Sequence, residues 1–132
     1  MTDETAHLWE DLVLAILSVN TYPLEKTYLA VETLRREGIF DPQNLMRWKA
    51  EEIGIHLRRG GYDRGEYMTN LFAERLAALG AFANSVGIEE CEQVLRKGGA
   101  TEVRQFLKPV KGIGPQVLIN FSLLRTTPSE PD

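Results

Sequence analysis

This sequence predicts an all-α fold in one domain. Apolar residues recur at helical spacing along almost the whole chain. Pro, Gly and Asp stand where those periodic runs begin and end. No stretch alternates apolar and polar residues between hairpin turns, as strands would. The chain has 132 residues, of which 43% are hydrophobic and 26% charged, which suits one core of ordinary size and excludes both disorder and a fibrous repeat.

Leu8, Trp9, Leu12, Val13, Ile16 and Leu17 predict an amphipathic first helix from about Thr5 to Val19. Asn20-Thr21-Tyr22-Pro23 interrupts it. Pro23 then opens a second helix, with Leu24, Tyr28, Val31 and Leu34 as its buried stripe and Gly38 as its stop. Asp41-Pro42 repeats the start signal, Asp41 as N-cap and Pro42 in the first turn, for a short helix through Leu45, Met46 and Trp48. Another short helix, Ala50 to Leu57, runs out at Arg59-Gly60-Gly61. The longest periodic run, Tyr67, Leu71, Phe72, Leu76, Leu79 and Phe82, predicts a helix from about Asp63 to Ser85 that is central to the core, closed by Gly87. Ile88 to Leu95 and Thr101 to Leu107 follow as short helices about Gly98-Gly99, the second with Thr101 as N-cap. The last helix covers Gln116 to about Arg125. The domain therefore spans 1–125, and Thr126 to Asp132, with two prolines, reads as a flexible tail.

Composition narrows the function classes. The single cysteine, Cys91, excludes a disulfide framework and any cluster built from several thiolates of this chain, and it fits a reducing, cytoplasmic setting. The longest apolar stretches, such as Leu12 to Leu17, are far below the roughly 20 residues of a membrane span, and the acidic start does not read as a secretory signal. His7 and His56 have no ligand at metal spacing. Trp9 and Trp48 are expected to pack, and Glu51-Glu52 and Glu89-Glu90 to complement helix dipoles in first turns. The net charge of −4 hides an asymmetry. Residues 1–95 carry nine Lys/Arg against sixteen Asp/Glu, and residues 96–132 carry six against three. Arg96, Lys97, Arg104, Lys108 and Lys111 stand against Glu102 alone, so this region is either a solvated basic face or one that tracks phosphates.

The most informative segment is Phe106-Leu107-Lys108-Pro109-Val110-Lys111-Gly112-Ile113-Gly114-Pro115-Gln116-Val117-Leu118, a helix, a Gly-hydrophobic-Gly turn and a second helix. Backbone N–H groups at such a turn reach a phosphate only where no Cβ intervenes, and the helix N-terminus behind them adds partial positive charge. Ile113 is expected to anchor the turn. Contacts of this kind position DNA without reading its sequence.

On these residues the chain resembles the helix-hairpin-helix DNA glycosylases, the superfamily of endonuclease III, the adenine glycosylase acting on mismatches and the alkylbase glycosylases. Two further places support the resemblance over roughly residues 8–125. Leu14-Ala15-Ile16-Leu17-Ser18-Val19-Asn20-Thr21 is similar to the family's Leu-Ser-x-Gln-x-Thr ending, and Gly61-Tyr62-Asp63-Arg64 leads into a long helix with Asn70-Leu71. The resemblance implies a six-helix barrel closed by the hairpin, double-stranded DNA as partner, and a role in base excision repair. It also implies roles for single residues. Gly112, Ile113 and Gly114 offer N–H groups to phosphate, flanked by Arg104, Lys108 and Lys111. The carbonyls of Lys108, Val110 and Ile113 hold a monovalent cation with DNA. Asn20 stands where the family has a Gln that fills the gap left by an extruded base, or else is simply a helix C-terminal Asn.

The departures concern catalysis. Gln116 occupies the position of the family's nucleophilic Lys, and an amide cannot form a Schiff base, which excludes lyase chemistry there. Counting on to the family's catalytic Asp passes the last residue, and the nearest carboxylates, Glu130 and Asp132, lie in the tail. The four cysteines of the family's iron-sulfur cluster and the second domain that walls the base pocket have no counterpart. Three readings stay open: a minimal monofunctional DNA N-glycosylase, a non-catalytic DNA- or protein-binding module on the same fold, and an acidic helical interaction protein. An apolar face left where the second domain would sit suits a partner protein or self-association.

Overall fold

The computed structural model describes residues 2–18, 27 and 29–126, and the side chains of 8–18, 27 and 29–125 among them. The described chain is an all-α bundle in one domain. Its helices are α1 (Thr2–Leu17), α2 (Val31–Glu37), α3 (Pro42–Arg47), α4 (Ala50–Arg59), α5 (Glu66–Val86), α6 (Ile88–Lys97), α7 (Ala100–Leu107) and α8 (Pro115–Thr126). The expected opening of the second helix at Pro23, the tail beyond Thr126, and Asn20 lie outside the described residues, while the end of that second helix, with Val31 and Leu34 buried and Gly38 as its stop, is α2.

Local chemistry sets most boundaries. Asp41 Oδ1 accepts a hydrogen bond from the Gln43 N–H at 2.9 Å with Pro42 in the first turn, as the sequence predicts. The start of α5 falls three residues later than expected. Asp63 Oδ1 accepts from the Gly65 N–H at 3.0 Å, and the Arg64 N–H donates to Thr69 Oγ1 at 2.8 Å, which satisfies this stretch as a loop. Thr101 is not the N-cap of α7. The extended backbone of Gly98 and Gly99 feeds the helix one residue earlier, and the Gly99 carbonyl accepts the first helical bond from Val103.

The C-terminal half of α1 is the centre of the core. Leu12 through Leu17 are all buried, so the helix is apolar all round there and carries no solvent face. Helix α8 packs along α1, and α5 lies against α3 and α4. Helix α5 buries Thr69, Phe72, Ala73, Leu76, Leu79, Gly80 and Ala83 at spacings of three and four, one stripe rather than a whole circumference. Tyr67, counted in the expected stripe, points outward at 76% exposure, because it stands two residues, about 200° of helix, from Thr69 on the buried face.

Trp9 is buried and donates its indole N–H to Glu92 at 2.7 Å. Trp48 stacks on His56 with ring centroids 4.0 Å apart, while His56 Nδ1 lies 2.7 Å from Glu37 Oε1 and ties α4 to α2. Burial, then Glu90 and Glu92, push the Cys91 thiol up to about 11, so it stays protonated at neutral pH and packs as a small apolar group. Among the described residues no single helix is long and apolar enough to cross a membrane.

Candidate nucleic-acid interface

Helices α7 and α8 each bury a pair of residues four apart, Val103 and Leu107 on one, Val117 and Phe121 on the other. That inward seam holds the two helices as a hairpin about residues 108–114. Inside the turn the apolar residues again face in: Val110 is buried, and Ile113 packs on the core, as its position between two glycines predicts. Lys108, Pro109 and Lys111 are exposed. The turn is closed by the Val110 N–H donating to the Leu107 carbonyl at 2.9 Å and the Ile113 N–H donating to the Val110 carbonyl at 3.3 Å.

Bonds that are missing matter as much. Among the described residues the backbone N–H groups of Lys111, Gly112 and Gly114 find no acceptor. Behind them α8 opens at Pro115, which has no N–H, and its first-turn donors at Gln116 and Val117 are unpaired as in any helix start. Around this row stand the exposed side chains of Arg104, Lys108 and Lys111, none with an ion-pair partner among the described residues. Unpaired donors, a helix N-terminus and three lone cations add to one sign of potential, which favours an anion.

The two hairpin glycines differ. Gly112 has φ +93°, and a Cβ there would meet Arg75 Cδ at 2.5 Å and Arg75 Nε at 2.8 Å. A Cβ on Gly114 would meet nothing within 4 Å, at an ordinary φ. The absence of a side chain at Gly114 is therefore not required by the fold. It leaves open the space through which a phosphate would approach its N–H.

For the expected cation, the Lys108 and Ile113 carbonyls accept no backbone hydrogen bond among the described residues, and the Val110 carbonyl accepts only the 3.3 Å bond from Ile113. Carbonyl oxygens are the kind of hard ligand that would suit a monovalent ion, with Lys108, Val110 and Ile113 as the residues that would supply them.

Gln116 is exposed, and its Nε2 donates to Asn120 Oδ1 at 3.0 Å. Asn120 is buried, and its own Nδ2 donates to the Ala15 carbonyl at 3.3 Å and the Ser18 carbonyl at 3.1 Å. Tyr62 is fully buried and donates its hydroxyl to the Leu17 carbonyl at 2.6 Å. The orphan carbonyls at the end of α1 are thus capped from two directions, by α8 and by the loop before α5.

Sequence reading overlooked Asn120 and Arg75. Asn120 stands four after Gln116, a spacing that places two amides in contact on a helix. Arg75 stands three after Phe72, and its guanidinium carbon lies 5.1 Å from that ring's centroid. Arg64 lies at the same distance from the same ring. Between α7 and α8, Ile119 and Leu123 are each 53% exposed beside a 450 Å³ groove also lined by Ala100, Arg104, Pro115 and Leu118.

No protein-family model, curated protein or solved structure matches the chain, so what it does is argued from these residues and their geometry.

Proposed function

We propose that the chain is a DNA-binding protein of the helix-hairpin-helix glycosylase superfamily, engaging duplex DNA through residues 104–116 in a base-excision-repair-like role in the cytoplasm. One observation carries the reading: among the described residues the N–H groups of Lys111, Gly112 and Gly114 lack acceptors, on a turn flanked by Arg104, Lys108 and Lys111, which have no ion-pair partner there. A phosphate supplies what those groups lack, and base identity plays no part in such a contact.

Within that reading the chain is either a minimal monofunctional DNA N-glycosylase or a non-catalytic module that kept the fold. A specific contact favours the module. Gln116, at the position of the family's nucleophilic Lys, spends its amide N–H on Asn120, which in turn caps α1. Its visible role is structural. The discriminating experiment incubates the protein with duplexes carrying uracil, alkylated purines, oxidised purines or a mismatch, scoring alkali-labile sites beside a gel-shift titration. Binding without base release establishes the module, and release of any base establishes the enzyme. Neither signal moves the assignment to a protein partner on the Ile119–Leu123 face.

Two predictions test the interface itself. Lys108→Ala and Lys111→Ala each lower the slope of log affinity against log salt by about one, since each removes one neutralised phosphate. A slope unchanged in both variants removes these lysines from the interface. Gly114→Ala melts as the wild type does and binds duplex about tenfold more weakly, the value of one hydrogen bond to a charged group. Gly112→Ala differs: it loses about 2 kcal/mol of stability from its positive φ alone, so weakened binding there is not diagnostic. Wild-type affinity in folded Gly114→Ala contradicts the backbone-to-phosphate contact.

A further inference from the structure

We infer that Arg75, on α5, is a phosphate-binding residue of the hairpin, contributed from under the turn by a helix distant in sequence; this rests on the duplex-DNA reading above. The first ground is position. The Arg75 side chain passes so close beneath Gly112 that a Cβ at that glycine would sit 2.5 Å from its Cδ and 2.8 Å from its Nε. Its Nε therefore lies beside the turn that carries the N–H groups of Lys111, Gly112 and Gly114, which find no acceptor among the described residues.

The second ground is charge. Arg75 is half-buried, and no carboxylate forms an ion pair with it among the described residues. It shares the Phe72 ring with Arg64, each guanidinium carbon 5.1 Å from the centroid. A cation partly out of water, with no carboxylate paired to it among the described residues, is held against the Phe72 ring face, which substitutes only weakly for an anion. An anion arriving at the turn supplies the missing partner. A phosphodiester oxygen fits best, because a guanidinium offers paired, coplanar donors and the turn's N–H groups offer further ones to the same phosphate. The packing on Phe72 and under Gly112 removes side-chain freedom before any ligand binds, so little ordering remains to oppose association.

The fit also explains the glycine. At position 112 a side chain is excluded twice, by the backbone angle and by the arginine stem that occupies its space. The turn and Arg75 therefore form one unit.

The test uses the full chain and a duplex of undamaged, arbitrary sequence. Wild-type, Arg75→Gln and Arg75→Lys proteins are titrated at several salt concentrations, with circular dichroism melts alongside. Arg75→Gln is expected to bind about tenfold more weakly, with the salt slope reduced by about one. Arg75→Lys is expected to keep most of the slope, because the charge survives the loss of the planar fork. In the same wild-type protein the Arg75 Nε–H resonance is expected to shift with the Gly112 and Gly114 amides at a single midpoint as duplex is added, a readout that needs no variant to fold. A wild type that does not bind duplex overturns the DNA reading and this inference with it. A wild type that binds, with folded Arg75→Gln retaining both affinity and slope, overturns the inference alone. So does an Arg75 resonance that stays fixed while the hairpin amides move, or one that responds to inorganic phosphate and not to duplex.

Discussion

Gly80→Ala is expected to lower the stability of the protein by about 3 kcal/mol and its melting temperature by about 10 °C, the upper part of the overpacking range. Two effects of opposite sign compete at this site. Alanine is the better helix former by about 1 kcal/mol, and Gly80 sits well inside α5. Against that, a Cβ at Gly80 would lie 2.3 Å from the Leu45 carbonyl oxygen, 2.5 Å from its carbon and 2.9 Å from the Met46 nitrogen. All three are backbone atoms of α3, so no rotamer change relieves the contact. Helix α3 must move off α5, which uncovers Leu45, now 2% exposed. The clash therefore outweighs propensity. Truncating Leu45 to Ala does not rescue the variant, because the obstruction is the main chain. A calorimetric or circular dichroism melt decides it, and an unchanged or raised melting temperature shows that the two helices have slack between them.

The clearance at Gly80 illustrates which parts of the fold could be read from sequence. Asp41-Pro42 was legible because an N-cap is settled within three residues by the side chain that accepts the bond. The stop at Gly38 was legible because glycine takes the left-handed φ of +84° that ends α2 at little cost. Thr101 misled because its chemistry suits a cap, yet the two glycines before it already had the extended backbone that starts a helix. Tyr67 misled because it continues the 71–79 spacing by sequence, while the face that packs is chosen by α3 and α4. The spacing of Leu8, Trp9, Leu12, Val13, Ile16 and Leu17 predicts one stripe of an amphipathic helix, yet Leu14 and Ala15 between them are buried too. Six consecutive buried residues instead report a helix surrounded by others, and only the neighbours decide that.

The candidate interface divides in the same way. Its hairpin is a local object: helix, Gly-Ile-Gly and helix follow in one short segment, so the inward Ile113 and the basic Lys108 and Lys111 beside it came straight from the pattern. Arg75 and Asn120 did not, because each acts across the fold. The Asn120 bond to the Ala15 carbonyl joins residues 105 apart in the chain. Arg75 meets Gly112 only because α5 runs under the turn. Net charge misdirected as well, since the acidic balance of residues 1–95 contains the arginine that lies closest to the hairpin turn.

Asn120→Asp is expected to destabilise the protein by about 3 to 5 kcal/mol at pH 7, with a deficit that shrinks towards about 1 to 2 kcal/mol at pH 4. The replacement is isosteric, so the effect is electrostatic. The Asn120 Nδ2 now donates to two carbonyls, and an aspartate oxygen in its place would face the Ala15 and Ser18 oxygens as a third acceptor. Gln116 Nε2 would remain as a donor, one against two. Burial and the facing carbonyls both disfavour the charged carboxyl, so its pKa in the folded chain is raised above the unfolded value of about 3.9. The folded state then holds the proton more tightly than the unfolded one, and stability falls as pH rises from about 4 through the raised folded value. Below that window the protonated acid recovers one O–H donor and part of the cap. Asn120→Ala, which has no titrating group, is expected to lose about 2 kcal/mol at both pH values. Urea midpoints of the three proteins at pH 4 and pH 7 separate these effects. A deficit in Asn120→Asp that equals that of Asn120→Ala, or that does not change with pH, shows that the end of α1 is capped by other groups. Because α8 carries the second half of the hairpin, loosening its tie to α1 also loosens the turn, so the duplex affinity of folded Asn120→Asp is expected to fall as pH rises while that of Asn120→Ala does not.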